Sequence, residues 1–277
     1  MGDLSMIVNK KEQRIITFLL IFLMIITAFP VLFSIIVSFG EATELVKGNY
    51  IPNGISFHNY QDVFNKIPLM SYIVNSLIVS LSTMVLQIVI SLLAAYFFVF
   101  IDFKHKNILF IIFMMTMMVP VEVLIVRNFQ TIRSMGLLNS YSGLILPNIA
   151  TTFGIFLLRQ NMMQVPYELK EAADISGVSD FYFLRKVVTP MVKNSIFTLG
   201  IYSFLSSWNA YLWPLVSTTK SNMWTAQLGL RSLKAADILT NYGMISAASL
   251  IVAIPTLIMI FVGQGRLEEG LSKGSIK

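Results

Sequence analysis

Hydrophobic residues lie in six long runs along the chain, and the shorter segments between these runs carry almost all of the charged residues. A helix of about 20 apolar residues is long enough to cross the roughly 30 Å hydrocarbon core of a bilayer. The pattern therefore predicts an all-α polytopic membrane protein with about six transmembrane helices. The expected spans are 15–39, 71–101, 108–126, 142–158, 195–217 and 243–263.

Two of these runs have features that need a separate interpretation. The run 15–39 follows basic residues and resembles a signal peptide, but it is longer than the hydrophobic region of about 7–15 residues in such peptides. We therefore expect it to remain as an uncleaved first span. The run 142–158 is the shortest of the six, and Pro147 interrupts it.

The distribution of lysine and arginine predicts which side of the membrane each segment occupies. With the N-terminus inside, the cytoplasmic segments carry 13 of the 20 Lys and Arg residues. Cytoplasmic segments of membrane proteins carry such an excess, so both termini are expected in the cytoplasm. The expected parts are a cytoplasmic N-terminus (1–14), a transmembrane domain (15–263) with a long cytoplasmic loop (159–194), and a cytoplasmic tail (264–277).

The composition excludes several classes of function. Only 12% of the residues are charged, against roughly 25% in a typical soluble domain, so a water-exposed surface could not be covered. The net charge of +6 comes from basic residues between apolar runs, which indicates membrane topology and not nucleic-acid binding. The chain has no cysteine, which excludes disulfides, thiolate metal sites and cysteine nucleophiles. His58 and His105 are far apart in the sequence, and no metal site is predicted.

The predicted spans contain almost no ionisable side chains. Glu122, near the outer end of the third predicted span, is the exception. Carriers that are driven by protons or ions usually place acidic or basic residues within the membrane, because these residues carry the relay. The scarcity of ionisable side chains in the predicted spans argues against proton coupling within this chain. Energy for any transport would then have to come from elsewhere.

The expected cytoplasmic loop 159–194 contains residues that typically start and end two short helices. Pro166 is suited to a helix start, where its missing N–H has no cost, and a helix is expected over 167–176. Gly177 is suited to end this helix in the left-handed conformation. The segment that follows is expected to form the second helix.

The second helix is expected over 180–187, with Ser179 as its N-cap and Pro190 as its limit. On the first helix, Ala172 and Ala173 leave a low-profile face that another surface can approach closely. Its polar edges are Glu168, Lys170, Glu171 and Asp174. From the pattern alone, the loop is either a docking element or an ordinary amphipathic connector.

Six residues of this loop have the spacing of a longer pattern, E-A-A-x3-G-x9-I-x-L-P: Glu171, Ala172, Ala173, Gly177, Val187 and Pro190. Val187 stands in place of Ile, and Thr189 stands where Leu is usual. The loop resembles the EAA loop of ATP-binding-cassette importer permeases.

Three further segments, 116–147, 206–215 and 264–277, are similar to carbohydrate importer permeases of the maltose-system G type. Ala210 departs from them, because an acidic residue is common there after Trp-Asn. By this resemblance, the chain is identified as a member of the inner-membrane components of binding-protein-dependent sugar uptake systems. The implied location is the bacterial plasma membrane, as a multi-pass protein in contact with lipid.

The resemblance implies a set of partners. Two permease subunits form the pathway, two ATPase subunits bind ATP and Mg beneath them, and an extracellular sugar-binding protein delivers the solute. This chain has no phosphate loop, so it is not expected to hydrolyse ATP itself. Because the resemblance assigns ATP hydrolysis to the ATPase subunits, this chain is expected to bind no cofactor, to have no catalytic residue and not to be an enzyme. The residues implied to couple to the ATPase are Glu168, Glu171, Ala172, Ala173 and Gly177.

The tail 264–277 is either a frayed terminus or, by the resemblance, a segment that reaches between the ATPase subunits. The outside segments 40–69 and 218–242 are long enough to present a small surface to the binding protein. Asn222 and Trp224 are the candidates for that contact.

Recognition of a sugar requires aromatic platforms and planar hydrogen-bonding groups. The candidates for the substrate pathway are Trp208, Asn209, Tyr211, Trp213, Asn75, Gln87, Glu122 and Asn128, with Asn209 as the first choice. Each has another explanation, because Trp and Tyr form interfacial belts and lone amides form hydrogen bonds between helices.

Three functions are open for the whole chain. The resemblance implies the permease subunit of an importer for a sugar, expected to be an oligosaccharide, with monosaccharides and glycerol phosphate left open. A secondary carrier that works alone predicts paired half-repeats with intramembrane charges or broken helices. A membrane assembly protein without transport has no need for the EAA spacing.

Overall fold

The computed structural model describes residues 10–41, 54–236 and 241–272, and within these ranges the chain forms helices and turns without β-strands. The contacts divide the chain into two compact units. One unit comprises Met1–Ile67 and Ser232–Ile251, and the other comprises Pro68–Arg231 and Val252–Lys277.

The first unit contains a long apolar helix, α1 (Lys10–Ser38), and a short helix, α2 (His58–Lys66). Asn59 of α2 donates from Nδ2 to the carbonyl oxygens of Ser38 (2.9 Å) and Gly40 (2.7 Å). The last carbonyls of a helix have no partner within the helix, and Asn59 supplies one at the end of α1. Almost all apolar side chains of α1 are exposed, as expected for a helix surrounded by lipid.

The second unit is built around one long helix, α3 (Leu69–Phe100). Two helices pack along it, α7 (Thr152–Met162) and α11 (Lys193–Trp208). A Cβ atom at Gly154 of α7 would lie 2.6 Å from the Ser91 Oγ of α3, so only glycine permits this approach. Small residues at helix contacts are typical of packing within membranes.

An apolar core lies where the C-terminal end of α3 meets α7 and the loop 159–194. Its buried members include Ala95, Tyr96, Phe100, Leu157, Leu158, Met162, Phe183, Leu184 and Val188. The loop is therefore fixed to the helices of this unit by the same hydrophobic core that holds α3 and α7 together.

Within the described residues, three helical stretches are long and apolar enough to cross a membrane: Gln13–Ser38, Leu69–Phe100 and Tyr242–Gly263. They overlap the first, second and sixth predicted spans, and the last belongs to α14 (Tyr242–Ser272). The fourth predicted span is a pair of helical segments with a bend of 48°, Tyr141–Asn148 and α7. The first of these begins as α6 (Tyr141–Ile145).

The third predicted span, 108–126, is not one continuous helix. Helix α4 (Lys106–Met115) ends in a 3-10 turn (Thr116–Met118), and α5 (Val121–Ser134) leaves at an angle of 98°. Pro120 causes the break, because it has no N–H to donate and disfavours a helical backbone at the preceding residue, which is extended here.

The fifth predicted span, 195–217, is also interrupted. Helix α11 ends at Trp208, residues 209–211 are not helical, and α12 (Leu212–Ser217) follows. Pro214 lies in the first turn of α12, where the N–H groups have no partner within the helix and a proline is tolerated. The 16 residues of α11 are fewer than the roughly 20 that cross a bilayer without help from neighbouring segments.

After α12 the described chain forms a short 3-10 turn (Ser221–Met223) and α13 (Ala226–Ala236). Gly229 of α13 lies against the ring of Tyr72, since a Cβ atom there would lie 2.2 Å from a ring carbon. This contact holds the start of α13 on α3.

Candidate functional site

The loop that contains the EAA pattern forms a short exposed helix, α8 (Glu168–Ile175). Gly177 ends this region with a φ of 68°. Its N–H donates to the Asp174 carbonyl oxygen (3.1 Å), and the Val178 N–H donates to the Ala173 carbonyl oxygen (2.9 Å). This pair of bonds is the Schellman arrangement, and it agrees with the predicted role of the glycine.

The second helix of the loop differs from its prediction. Ser179 caps α9 (Asp180–Phe183) as expected, but the backbone then forms a π-helical turn (Leu184–Val188) and continues as α10 (Thr189–Met191). The expectation that Pro190 limits the helix is therefore wrong. A proline in a regular α-helix removes a donor and clashes with the carbonyl four residues earlier, and the wider π-helical turn before Pro190 changes that register.

The structure places four of the five predicted coupling residues on the outside. Glu168, Glu171, Ala172 and Gly177 are exposed, whereas Ala173 is half-buried and packs against the apolar core. The low-profile face predicted from the two alanines is thus divided between the surface and the core.

Bulky apolar side chains protrude between these exposed residues. Ile175 is 89% exposed and Phe181 is 67% exposed, and Leu169 and Tyr182 are exposed beside them. Exposed apolar groups next to carboxylates are typical of an interaction surface. We call the exposed residues of α8 and α9 the docking face.

Lys170 lies beneath the docking face and is 7% exposed. Its Nζ forms ion pairs with Asp174 and, at 3.1 Å, with Asp180. The Tyr96 hydroxyl of α3 donates to the same Oδ1 of Asp180 over 2.6 Å. A buried ammonium group requires such partners, because burial of an unpaired charge is costly.

The charges in this cluster shift each other's pKa. Hydrogen bonds from Tyr96 and then Lys170 lower the pKa of Asp180 below its ordinary value. The hydrogen bond to Asp174 raises the pKa of Lys170 against the opposing effect of burial. The sequence placed Lys170 and Asp174 on polar edges of the helix, and the structure instead buries Lys170.

A cavity of about 500 Å³ lies in the second unit, at the end of α11 and beside α3. Six of the sequence candidates line it: Gln87, Glu122, Asn128, Asn209, Tyr211 and Trp213. The non-helical residues 209–211 and the start of α5 supply part of its wall. The two helix breaks that the sequence did not predict therefore contribute to the wall of this cavity.

Trp208 does not line the cavity. Its ring is 1% exposed and stacks on Phe204 with the ring centres 5.7 Å apart. Its Nε1 donates to the Val252 carbonyl oxygen over 3.3 Å. Trp208 thus joins α11 to α14, which is a structural contact and not a solute contact.

Asn75 is also absent from the cavity wall, because its side chain is used within the chain. Its Nδ2 donates to the carbonyl oxygens of Asn222 and Trp224, each at 2.9 Å, and its Oδ1 accepts from the Tyr141 hydroxyl at 2.7 Å. Asn222 is exposed, whereas Trp224 is half-buried beside the Tyr72 ring. Of the two binding-protein candidates, Asn222 alone has an exposed side chain.

Hydrogen bonds fix the orientation of several cavity residues. Asn209 donates from Nδ2 to the Leu205 carbonyl oxygen (2.9 Å), and its Oδ1 accepts from Gln227 (3.2 Å). Trp213 donates from Nε1 to the Gly143 carbonyl oxygen over 3.2 Å. The amide and the indole are thus held in place before a solute arrives.

The cavity wall also contains polar residues that were not among the sequence candidates: Ser76, Thr83, Asn148, Ser203, Ser206, Ser207 and Thr225. The side-chain oxygens of Thr83, Ser203 and Thr225, and Oε1 of Gln87, have no hydrogen-bond partner among the described residues. Part of this set could have been found from the sequence, because Ser76, Thr83 and Gln87 are spaced so that they share one face of α3.

Glu122 is the one ionisable group besides tyrosine among the residues that line the cavity, and no lysine, arginine or histidine is among them. The described part of the chain contains no group of three His, Asp or Glu residues that could hold a metal ion. The wall offers hydroxyl, amide and aromatic groups, which suit a neutral polar molecule.

Comparison with known proteins places the chain in a family. The family model described as "Binding-protein-dependent transport system inner membrane component" matches residues 87–266. The arabinooligosaccharides transport system permease protein AraQ of Halalkalibacterium halodurans is 30% identical, with 97% of this chain and 99% of that protein covered. The sn-glycerol-3-phosphate transport system permease protein UgpE of Pectobacterium atrosepticum is 32% identical, with 96% and 98% covered.

A solved structure supports the same fold. A chain from the crystal structure of a bacterial ABC transporter involved in the import of the acidic polysaccharide alginate matches with a TM-score of 0.84 and 19% identity. The match covers 95% of this chain and 99% of that chain. The all-α membrane fold and the family resemblance that the sequence predicted are confirmed. The chain belongs to the family of inner membrane components of binding-protein-dependent transport systems.

Proposed function

We propose that this chain is the transmembrane permease subunit of an ATP-binding-cassette importer for sugars in the bacterial inner membrane, where it forms one half of the pathway. The observation that carries the proposal is the docking face, in which an EAA segment forms a short exposed helix ended by Gly177. Full-length relatives named as permease proteins of solute transport systems support it.

The proposed partners are a second permease subunit, two ATPase subunits and an extracellular sugar-binding protein. ATP and Mg bind to the ATPase subunits, and this chain supplies the docking face for one of them. The exposed Ile175 and Phe181 side chains would be covered in that complex, and Glu168 and Glu171 would meet positive charges at its edge. The membrane helices then move as rigid bodies between inward-facing and outward-facing states.

The proposed topology has six crossings with both termini in the cytoplasm. Three long helices and two bent pairs give five candidate crossings among the described residues, and α11 with α12 is the proposed sixth. Bent spans are tolerated in membrane proteins where the freed backbone groups are buried in protein or line a cavity. The excess of Lys and Arg in the cytoplasmic segments supports this orientation.

The solute that suits the cavity is a neutral sugar. The cavity has a volume of about 500 Å³, which is large enough for an oligosaccharide unit. Relatives are named for arabinooligosaccharides and for sn-glycerol-3-phosphate, which carries negative charge. Glu122 would repel a phosphate ester, and no basic side chain among the lining residues would attract one. The wall of this subunit therefore favours the oligosaccharide.

Co-purification of the ATPase tests the proposal. Ile175→Ser removes the most exposed apolar side chain of the docking face, and Ile55→Ser is the matched control at another isoleucine, which is 79% exposed and lies in the first unit. The tagged wild-type chain and the Ile55 variant should retain the ATPase, and the Ile175 variant should lose most of it.

Uptake into proteoliposomes separates the alternatives. The complete importer should require ATP, and uptake by the isolated chain without ATP would support a secondary carrier. If an ATPase co-purifies with neither the wild type nor the Ile55 variant, the chain is not a subunit of such an importer.

A further inference from the structure

We propose that Tyr96, Asp180 and Lys170 form a mechanical link that transmits movement of the docking face to the cavity wall. The link rests on the proposed function, because it requires an ATPase that moves α8. In this link the three residues are positioning residues, and none of them contacts the solute.

The geometry of the link joins three helices at one oxygen atom. Oδ1 of Asp180 in α9 accepts from the Tyr96 hydroxyl of α3 at 2.6 Å and lies 3.1 Å from Nζ of Lys170 in α8. The remaining ion pair of Lys170, with Asp174, lies within α8. Asp180 is thus the junction between the docking face and the long helix of the second unit.

Burial makes this junction costly to separate. The Lys170 side chain is 8% exposed, whereas that of Asp180 is 54% exposed. A buried ammonium group that loses a partner keeps its desolvation penalty, so Lys170 favours the arrangement in which Asp180 stays in place. The Asp180 carboxylate also lies at the N-terminal end of a helix that Ser179 caps, where negative charge is favoured.

Aromatic rings of the apolar core pack beside the same junction and support it. The Phe183 ring lies 5.5 Å from the Phe100 ring in an edge-to-face arrangement and 6.4 Å from the Tyr96 ring. Nζ of Lys170 lies 6.0 Å from the Phe183 ring centre. Such edge-to-face pairs have preferred angles, and the hydrogen bond of Tyr96 adds a directional contact to this otherwise apolar packing.

Helix α3 connects the junction to the cavity without interruption. Tyr96 lies nine residues after Gln87, which lines the cavity, and a rise of about 1.5 Å per residue places them roughly 13 Å apart along the axis. A displacement of α8 that Asp180 passes to Tyr96 would therefore move the helix that carries Thr83 and Gln87. The docking face and the cavity wall would then move as one body.

Tyr96→Phe removes the hydroxyl and keeps the aromatic ring, so the apolar core is preserved. Tyr202→Phe is the matched control, because its ring packs on Phe153 with the centres 4.5 Å apart and lies outside the link. Both variants should fold and bind the ATPase as the wild type does, which a thermal melt and co-purification check.

Distances between spin labels provide a measurement that does not need the solute. The chain has no cysteine, so cysteines introduced at Ser176 after α8 and at Leu86 on α3 carry the only labels on this chain. ATP added to the complete importer should leave the distance between these labels within about 1 Å in the wild type and in the Tyr202 variant. In the Tyr96 variant, in which the apolar core alone still holds the loop on α3, the distance should change by clearly more than this.

Uptake supplies the second readout. The Tyr96 variant should hydrolyse ATP at nearly the wild-type rate but import about fivefold less solute per ATP. A label distance that changes equally in the wild type and the Tyr96 variant would overturn the link, as would a Tyr96 variant with wild-type distances and yield. Failure of the proposed function is distinct, because the ATPase would then be missing from the purified wild-type complex.

Discussion

Gln87 donates from Nε2 to the Asn148 carbonyl oxygen over 2.6 Å and so connects α3 to the bend between α6 and α7. The bend frees backbone carbonyls, and within a membrane a carbonyl without a partner is costly. The same side chain keeps Oε1 at the cavity wall, where it has no partner among the described residues. One amide therefore connects the two helical segments of the broken span to α3 and leaves an acceptor without a partner at the cavity wall.

Gln87→Met is expected to impair both roles at similar side-chain volume. Loss of the donor leaves the half-buried Asn148 carbonyl oxygen without this partner, which costs up to about 1–3 kcal/mol of stability. Loss of the acceptor should lower solute uptake roughly tenfold, the equivalent of about 1.4 kcal/mol. Thermal melts and ATP-driven uptake by the reconstituted importer measure the two effects.

Met84→Leu is the control for this substitution, since Met84 lies on α3 one turn earlier and is not among the residues that line the cavity. It should leave uptake and the melting temperature close to those of the wild type. Equal uptake by the Gln87 and Met84 variants would remove Gln87 from the pathway.

Asn209→Ala is expected to weaken solute binding without loss of ATPase coupling. Its side chain bridges the end of α11 and Gln227, and its position among the residues of the helix break orients the cavity wall. The concentration for half-maximal uptake should rise about 3- to 10-fold, while ATP hydrolysis stays near the wild-type rate. Unchanged half-saturation in a transport assay would show that Asn209 is a structural cap alone.

The cavity illustrates what the sequence could predict. Trp208 and Trp213 were both candidates for the substrate pathway, but the structure places them differently: Trp208 is buried against Val252, and Trp213 lines the cavity. The non-helical residues 209–211 change the direction of the chain between them. A periodicity argument assumes one continuous helix, so it could not assign these two rings.

The cluster around Lys170 shows a second kind of limit. Its i, i+4 partner Asp174 was visible in the sequence, because residues four apart share a helix face. The contacts of Asp180 with Lys170 and Tyr96 depend on how α9 folds back onto α3, which no local pattern specifies. Thr83 was overlooked for another reason, since small hydroxyls in membrane helices commonly bond to their own backbone.

Gly154→Ala and Gly200→Ala should differ strongly in stability, although both glycines belong to helices that pack on α3. A Cβ at Gly154 would lie 2.6 Å from Ser91 Oγ and 2.9 Å from Leu199 Cδ1, whereas the nearest atom to a Cβ at Gly200 is Ile88 Cδ1 at 3.4 Å. Overpacking of this kind costs about 1–3 kcal/mol.

The measurement is the melting temperature of the purified importer with each variant. The Gly154 variant should melt several degrees below the wild type, and the Gly200 variant should remain within about one degree. If the Gly200 variant loses as much stability as the Gly154 variant, then the close approach of α7 to α3 is not what requires glycine.

The contact between the docking face and α3 should be independent of pH from about 5 to 9. The pKa of Asp180 is lowered by the hydrogen bonds from Tyr96 and Lys170, so its stabilising contribution is present above its ordinary value of 3.8 and is lost as pH falls through the lower folded value. The pKa of Lys170 is raised, so its contribution is present below 10.5 and is lost only as pH rises through the higher folded value.

Asp180→Asn separates this acid dependence from general acid unfolding. The label distance between positions 176 and 86 should be constant from pH 5 to 9 in the wild type. It should increase only when the pH falls below 3.8 and passes through the lower folded pKa of Asp180, where the carboxylate becomes protonated. The Asn variant should already have the longer distance at pH 7 and should change less on acidification. A wild-type distance that changes between pH 5 and 9 would show that another titrating group controls the contact.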